Sequence, residues 1–246
     1  MSDSKEEFEA SGSDARSLEE PIVNLKAEMP EEYHAHMDDD EHRNEIRRAV
    51  IAQRAELPKP YRLHKSSAIC DELEASLDLT CALTGRAPED CIIAVYSAFE
   101  DEVQLDQFIR AAYARGAKVA FPCLVADAWG VEGAPEQTME MRVVDQESYE
   151  ANAVPFLSKQ LKKYAHDDEA LKDFPYAPGN ELTMIVIPLV AFDANKNRLG
   201  YGGGNYDRYL PQLSPECRQI AVAFTEQEVP HIPTEEHDVP VTVLAR

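Results

Sequence analysis

The sequence predicts an α/β fold: a single three-layer domain around a mainly parallel sheet, preceded by a disordered acidic tail. Three observations lead there. Short continuous apolar runs such as CIIAVY and TMIVIP alternate with stretches whose apolar residues recur at helical spacing. Strands buried on both faces read as such runs, and their alternation with helices builds parallel sheets. Hydrophobic residues make up 44% of the 246 residues, enough to bury a core. Finally, the acidity is crowded at one end.

Residues 1–41 hold 14 Asp and Glu against 3 Lys and Arg, a net −11 and half of the chain's −22. That stretch has few aromatics and no apolar periodicity, which predicts a solvated, disordered leader over residues 1–40 and a domain over 41–246. The acidic balance argues against nucleic acid as a partner, because phosphates require a basic footprint. No apolar run approaches the ~18–20 residues of a membrane span. The opening MSDSKEEFEA has neither a basic nor an apolar signal region, so a cytoplasmic location is the default. Five scattered cysteines, none in a C-x-x-C pair, read as reduced thiols. The oligomeric state is left open.

The elements follow in order. DDDEHRNEIRRAVIAQRAEL starts near Asp38 with acids, spaces Ile46, Val50 and Leu57 as a helix does, and stops at Pro58. A second helix is predicted from about Pro60 to Leu83. Cys91 to Tyr96 is a buried strand. A helix from Leu105 to Arg115 ends at Gly116 and leads to the strand KVAFP. Further strands are predicted at Met139–Val144, Thr183–Pro188, Gln219–Phe224 and Val241–Leu244. Residues 152–181 are polar and punctuated by Pro155, Pro175, Pro178 and Gly179, as in a variable insertion over the sheet, with a short helix near Ser158–Tyr164.

Four of the ten glycines fall within Gly200–Gly204. Glycine permits positive φ and a close ligand approach, and successive amides in such a turn form an anion-binding concavity. Arg198 adds a planar donor fork suited to phosphate or carboxylate. A helix starting near Asn205 and running to Leu213 would add its N-terminal dipole. A tight connection after a strand explains the glycines equally well. The loop matches neither G-x-x-x-x-G-K-[ST] nor G-x-G-x-x-G.

RLGYGGGNYDRYL, preceded by PLVAFD, resembles the signature of the 5-formyltetrahydrofolate cyclo-ligases, roughly P-G-x-x-F-D followed by R-L-G-x-G-x-G-x-Y-D. YSAFEDEV, AYARGAKVAFP and VAFTEQEVPHIPTEEHDVPV are similar to other parts of that family, so the resemblance spans about residues 42–244. Asn205 stands where the family usually has an aromatic. Residues 152–181 are longer than usual and lack an Ile-Pro-x-Pro-like segment.

The resemblance implies an ATP- and Mg²⁺-dependent enzyme that converts 5-formyltetrahydrofolate to 5,10-methenyltetrahydrofolate with release of ADP and phosphate. Phosphorylation of the formyl oxygen would make a leaving group, and N10 would then close the ring. Arg43 and Arg47 lie four apart on one helix face, which by itself is a solvated basic face or a shared anion site; the resemblance assigns them to ATP phosphates. It also assigns Arg198, Leu199, Gly200, Tyr201, Gly202, Gly203, Gly204, Asn205 and Tyr206 to ATP. Ser97 and Glu102 fall to the folate, together with the loop from Tyr201 to Asn205. Arg198 and Tyr206 are the catalytic candidates, and Asp207 and Asp238 the magnesium ligands. The alternatives are a non-catalytic folate- or nucleotide-binding relative, and a sugar-phosphate isomerase or CoA-transferase on a related scaffold.

Overall fold

The structure, a computed structural model, describes residues 39–126, 137–234 and 239–246. The leader expected over 1–40 therefore lies outside the described residues except for its last two. Those two, Asp39 and Asp40, already belong to helix α1 (Asp39–Glu56), where with Glu41 they place negative charge on the helix N-terminus. Helix α2 (Lys59–Thr84) starts with Pro60 in its first turn and ends at Gly85, whose φ of 65° is left-handed.

Strand β1 (Ile92–Ala94), helix α3 (Asp106–Ala114) and strand β2 (Lys118–Val125) form the first parallel unit. Gly116 makes the turn between them at φ 81°, with its backbone against Glu89. Strand β3 (Thr138–Val144) runs antiparallel to β2 along its whole length. Helix α4 (Gln146–Glu150) is capped by Asp145, which accepts from the Ser148 amide at 2.8 Å.

The polar stretch that follows differs from expectation. Its helix is α5 (Pro155–Ser158), not Ser158–Tyr164, and Lys163–Tyr164 is instead a strand, β4, pairing parallel with β2. Strand β5 (Tyr176–Ala177) pairs with β3. Val154, Phe156, Tyr164, Leu171 and Phe174 are buried in the main core cluster, so the segment extends the core and the sheet rather than lying over them. Its apolar residues are too widely spaced for any local period to reveal this.

Strand β6 (Met184–Pro188) precedes a small hairpin of β7 (Ala191–Phe192) and β8 (Arg198–Leu199). Helix α6 (Asn205–Tyr209) continues into a tighter turn at Leu210–Gln212, and β9 (Arg218–Ala223) and β10 (Thr242–Ala245) complete the sheet. The strand order is β10-β9-β6-β1-β2-β3-β5. All neighbours from β10 to β2 are parallel, as the continuous apolar runs predicted.

Alternation along the strands divides the core. Ile93, Val119, Phe121, Val186 and Val222 face α2 and α3, with Leu73, Leu77 and Phe108. The opposite face carries the smaller Ala94, Ala120, Ala221 and Ala223, which lets Tyr209 and Leu210 approach closely. A third cluster of Val50, Val190, Ala191, Leu199, Val229 and Ile232 packs α1 onto the β7–β8 hairpin. This last contact brings the basic face of α1 to the glycine loop. All five cysteines carry free thiols. Among the described residues, no helix is long and apolar enough to cross a membrane.

Candidate active site

The β7–β8 hairpin is held by Asp193, which is buried at 2% exposure. Its carboxylate accepts from the amides of Asn195, Asn197 and Ile232 and from the Asn197 side chain. Gln227 donates to the carbonyls of Leu189 and Val190 from the other side. The glycine loop therefore leaves a rigid base, as an anion-binding site requires.

The loop itself turns through left-handed conformations at Gly202 (φ 93°) and Gly204 (φ 62°). Arg47 on α1 donates from Nε to the Gly200 carbonyl at 2.9 Å, and its guanidinium lies where a Cβ on Gly202 would meet it at 3.4 Å. Arg43, one turn earlier, is buried and pairs with Asp40 at 2.5 Å. Leu199 packs inward with Val50. At the far end of the loop, Arg208 donates to the Gly203 carbonyl at 2.7 Å and to Asn205 Oδ1 at 3.0 Å, and Gln137 reaches the same oxygen at 3.3 Å. Asn205 therefore clamps the loop end in the position where the resemblance called for an aromatic.

Arg198 is buried, and its Nη2 donates to Asp207 Oδ1 across the loop. Its Nε is buried with no hydrogen-bond partner among the described residues, and so is the Tyr206 hydroxyl. Buried donors without partners are uncommon; Arg142 Nε and the Tyr164 and Tyr209 hydroxyls share that state, but Arg198 and Tyr206 are the pair that flanks the glycine loop, where an anionic ligand would supply an acceptor. Burial pushes the Tyr206 hydroxyl well above the ordinary tyrosine range, so it stays protonated and can donate.

Glu102 is buried at 4% exposure, and burial raises its carboxyl above the usual range against the opposing pull of the Phe99 amide, Tyr201 and Arg54. It accepts from the Phe99 amide at 2.8 Å and from the Tyr201 hydroxyl at 2.8 Å. Ser97 has its own partner. It bonds to Gln160 at 3.0 Å and lines a cleft of about 440 Å³ with Tyr149, Val154 and Leu157, and Glu102 is not among that cleft's walls. The structure thus joins Arg47, Arg198, Glu102 and Asp207 with the loop from Leu199 to Tyr206. Asp238 lies outside the described residues.

Sequence reasoning missed Arg54. It is 2% exposed and bonds Asp101 through Nε at 2.9 Å and Nη2 at 2.8 Å, and Tyr201 Oη at 2.6 Å. Burial alone would lower its pKa, but Tyr201, Asp101 and Glu102 outweigh that and hold it above its ordinary value. The signal was present, because Arg43, Arg47, Val50 and Arg54 fall on one helical face at i, i+4, i+7 and i+11.

A nucleotide phosphate fits this arrangement because the glycine turn, Arg47 and the Arg198 Nε without a partner among the described residues together suit an anion. Among the described residues, no three His, Cys, Asp or Glu side chains cluster to hold a metal. Asp207 remains, half engaged by Arg198 and with one carboxylate oxygen to spare. That suits a magnesium ion that takes most of its ligands from phosphate and water.

Comparison with known proteins agrees with this geometry. The model of the 5-formyltetrahydrofolate cyclo-ligase family matches residues 39–245. The 5-formyltetrahydrofolate cyclo-ligase of Mus musculus is 30% identical over 154 residues, which are 61% of this chain and 70% of that protein. The one of Haemophilus influenzae is 46% identical over 65 residues, 26% of this chain and 35% of that protein. The solved 5,10-methenyltetrahydrofolate synthetase of Mycoplasma pneumoniae has the same fold, with a TM-score of 0.56 at 23% identity over 82% of this chain and 96% of that one. With the family model matched from the first turn of α1 to the last strand, the chain belongs to the 5-formyltetrahydrofolate cyclo-ligase family.

Proposed function

We propose that this protein is the ATP-dependent ligase that cyclises 5-formyltetrahydrofolate to 5,10-methenyltetrahydrofolate, releasing ADP and phosphate. One observation carries it: the basic face of α1 closes on a glycine loop beside the buried donors of Arg198 and Tyr206. That is a charge-neutralising cradle set against a carboxylate, Glu102, suited to a folate's ring nitrogens. Nothing in the family match favours the isomerase or CoA-transferase alternative.

The formyl carbon of the substrate is a poor electrophile, and its oxygen is a poor leaving group. Transfer of the γ-phosphoryl to that oxygen releases ADP. N10 then attacks the carbon, the ring closes, and phosphate departs with the proton that N10 gives up. Aligning the two substrates and neutralising the phosphoryl charge is the protein's share of the catalysis. Arg47, the loop amides and Arg198 neutralise. Arg43 extends the positive face, and Tyr206 donates from a site that excludes water. Asp207 would hold Mg²⁺, which when bound shields the phosphate oxygens. A cytoplasmic location fits the free thiols and the soluble small-molecule substrates.

The deciding experiment follows the absorbance of the product on incubation of 5-formyltetrahydrofolate with the full chain, with and without ATP and Mg²⁺. Turnover that requires both is expected. A protein that binds either ligand yet never converts it would be a non-catalytic relative.

A further inference from the structure

Arg54 spends more on its contacts than the fold requires. A guanidinium buried at 2% exposure is expensive, and a well-packed apolar residue would stabilise a helix end at least as well. Its donors instead tie together three segments that are far apart in the chain. They belong to α1, to the loop after β1 through Asp101 and Glu102, and to the glycine loop through Tyr201. Nη1 also lies 3.5 Å from the Leu189 carbonyl at the base of the hairpin.

Tyr201 is the middle of this connection. Its side chain is 46% exposed, yet its hydroxyl is fully engaged, accepting from Arg54 at 2.6 Å and donating to Glu102 at 2.8 Å. Phe99 meets its ring edge-on at 5.8 Å, and the Phe99 amide holds the other oxygen of Glu102. The two hydrogen bonds and the Phe99 contact seat the ring, and through it the glycine loop is tied to α1 and to the Glu102 carboxylate. Without that seat the loop would lose this tie and the carboxylate would lose a donor.

Resting on the function proposed above, we propose that Arg54 is a positioning residue that couples the nucleotide loop to Glu102 through Tyr201, so that each ligand binds more tightly when the other is present. A nucleotide that orders Gly200–Gly204 seats Tyr201 and presets Glu102. A folate held by Glu102 fixes Tyr201 and presets the loop. The second ligand to arrive meets less ordering cost, and the tightening is the same in both directions.

The test measures binding of 5-formyltetrahydrofolate and of the β,γ-imido analogue of ATP to the full chain by calorimetry, each alone and each with the other saturating. Wild type should show a coupling ratio within the usual range of roughly 5- to 150-fold, equal in both directions. Tyr201→Phe removes only the hydroxyl and should bring the ratio close to one. Taking a ratio within each variant cancels any direct contact Tyr201 makes with either ligand. Arg54→Lys keeps the charge and loses the fork, and should lower the ratio while a thermal melt confirms the fold. A merely structural Arg54 would alter the melt and leave the ratio alone. A ratio of one in wild type, or an unchanged ratio in Tyr201→Phe, overturns the inference. Failure of wild type to bind either ligand would instead sink the proposed function, and the inference with it.

Discussion

Arg47 on the first helix donates 2.9 Å to the carbonyl of Gly200, 153 residues later in the chain. The contact fixes the guanidinium over the glycine turn, and Nη1 is held by Asn44 Oδ1 at 2.6 Å. Arg47→Ala should weaken ATP in steady-state kinetics by about ten- to a hundredfold, the worth of one charge-assisted contact of roughly 1.5–3 kcal/mol. The folate dependence should move much less. Unchanged ATP kinetics would leave this arginine only its structural contact with the glycine loop.

Gly202 combines a φ of 93° with a Cβ position 3.4 Å from the Arg47 guanidinium carbon. Gly202→Ala should therefore strain the loop by about 1–2 kcal/mol through its positive φ, with the new methyl in contact with the Arg47 guanidinium. The expected result is a lower melting temperature together with a higher KM for ATP. An alanine variant with wild-type values for both would show that the left-handed turn is not needed.

Asp207 bonds Arg198 from the first turn of α6, and its side chain does not cap that helix. Asp207→Asn removes the charge and keeps the shape. It should cost about 1.5–3 kcal/mol in the ligand-free protein, because a buried guanidinium loses its charged partner. Denaturant unfolding measures that. In addition, the proposed metal role predicts a rate curve displaced to higher magnesium. Superimposable magnesium titrations would take Asp207 out of the metal site.

Glu102 gives a pH signature. Burial holds its folded pKa above the ordinary 4.5, so the folded state keeps its proton to higher pH than the unfolded chain. Folding stability attributable to this group is then greatest below that ordinary value and declines as pH rises through the window up to the folded pKa. Subtracting the unfolding free energy of Glu102→Gln from that of wild type at each pH isolates the effect. The difference should fall with rising pH and level off above the window. A difference that rises with pH would mean that the ion pair with Arg54 outweighs burial.

What was legible in the sequence was local. The period of α1, the Pro58 stop, the buried runs of β1, β2, β6 and β9 and the glycine turn all follow from backbone and side-chain preferences within a few residues. The same is true of Arg47, which marks a helix face by spacing alone. Residues 163–164 and 176–177 were not legible as strands, because two residues carry no period and pair only where β2 and β3 already stand.

By itself the sequence determined the α/β class, the positions of most elements and the loop where an anion would be held. It also marked Arg43 and Arg47 as one basic face of α1. Only the tertiary structure decided what that face touches. Tyr201 lies 147 residues from Arg54, and Asp101 lies 47 away. Asp207 likewise became Arg198's partner, and Ser97 came to accept from Gln160 in a cleft with Tyr149 and Val154. The reason is physical: hydrophobic burial is non-directional, so an apolar pattern says which face turns inward without naming its neighbour. A buried charge, in contrast, is stable only beside specific partners, and those partners are brought within reach by the packing of the whole chain.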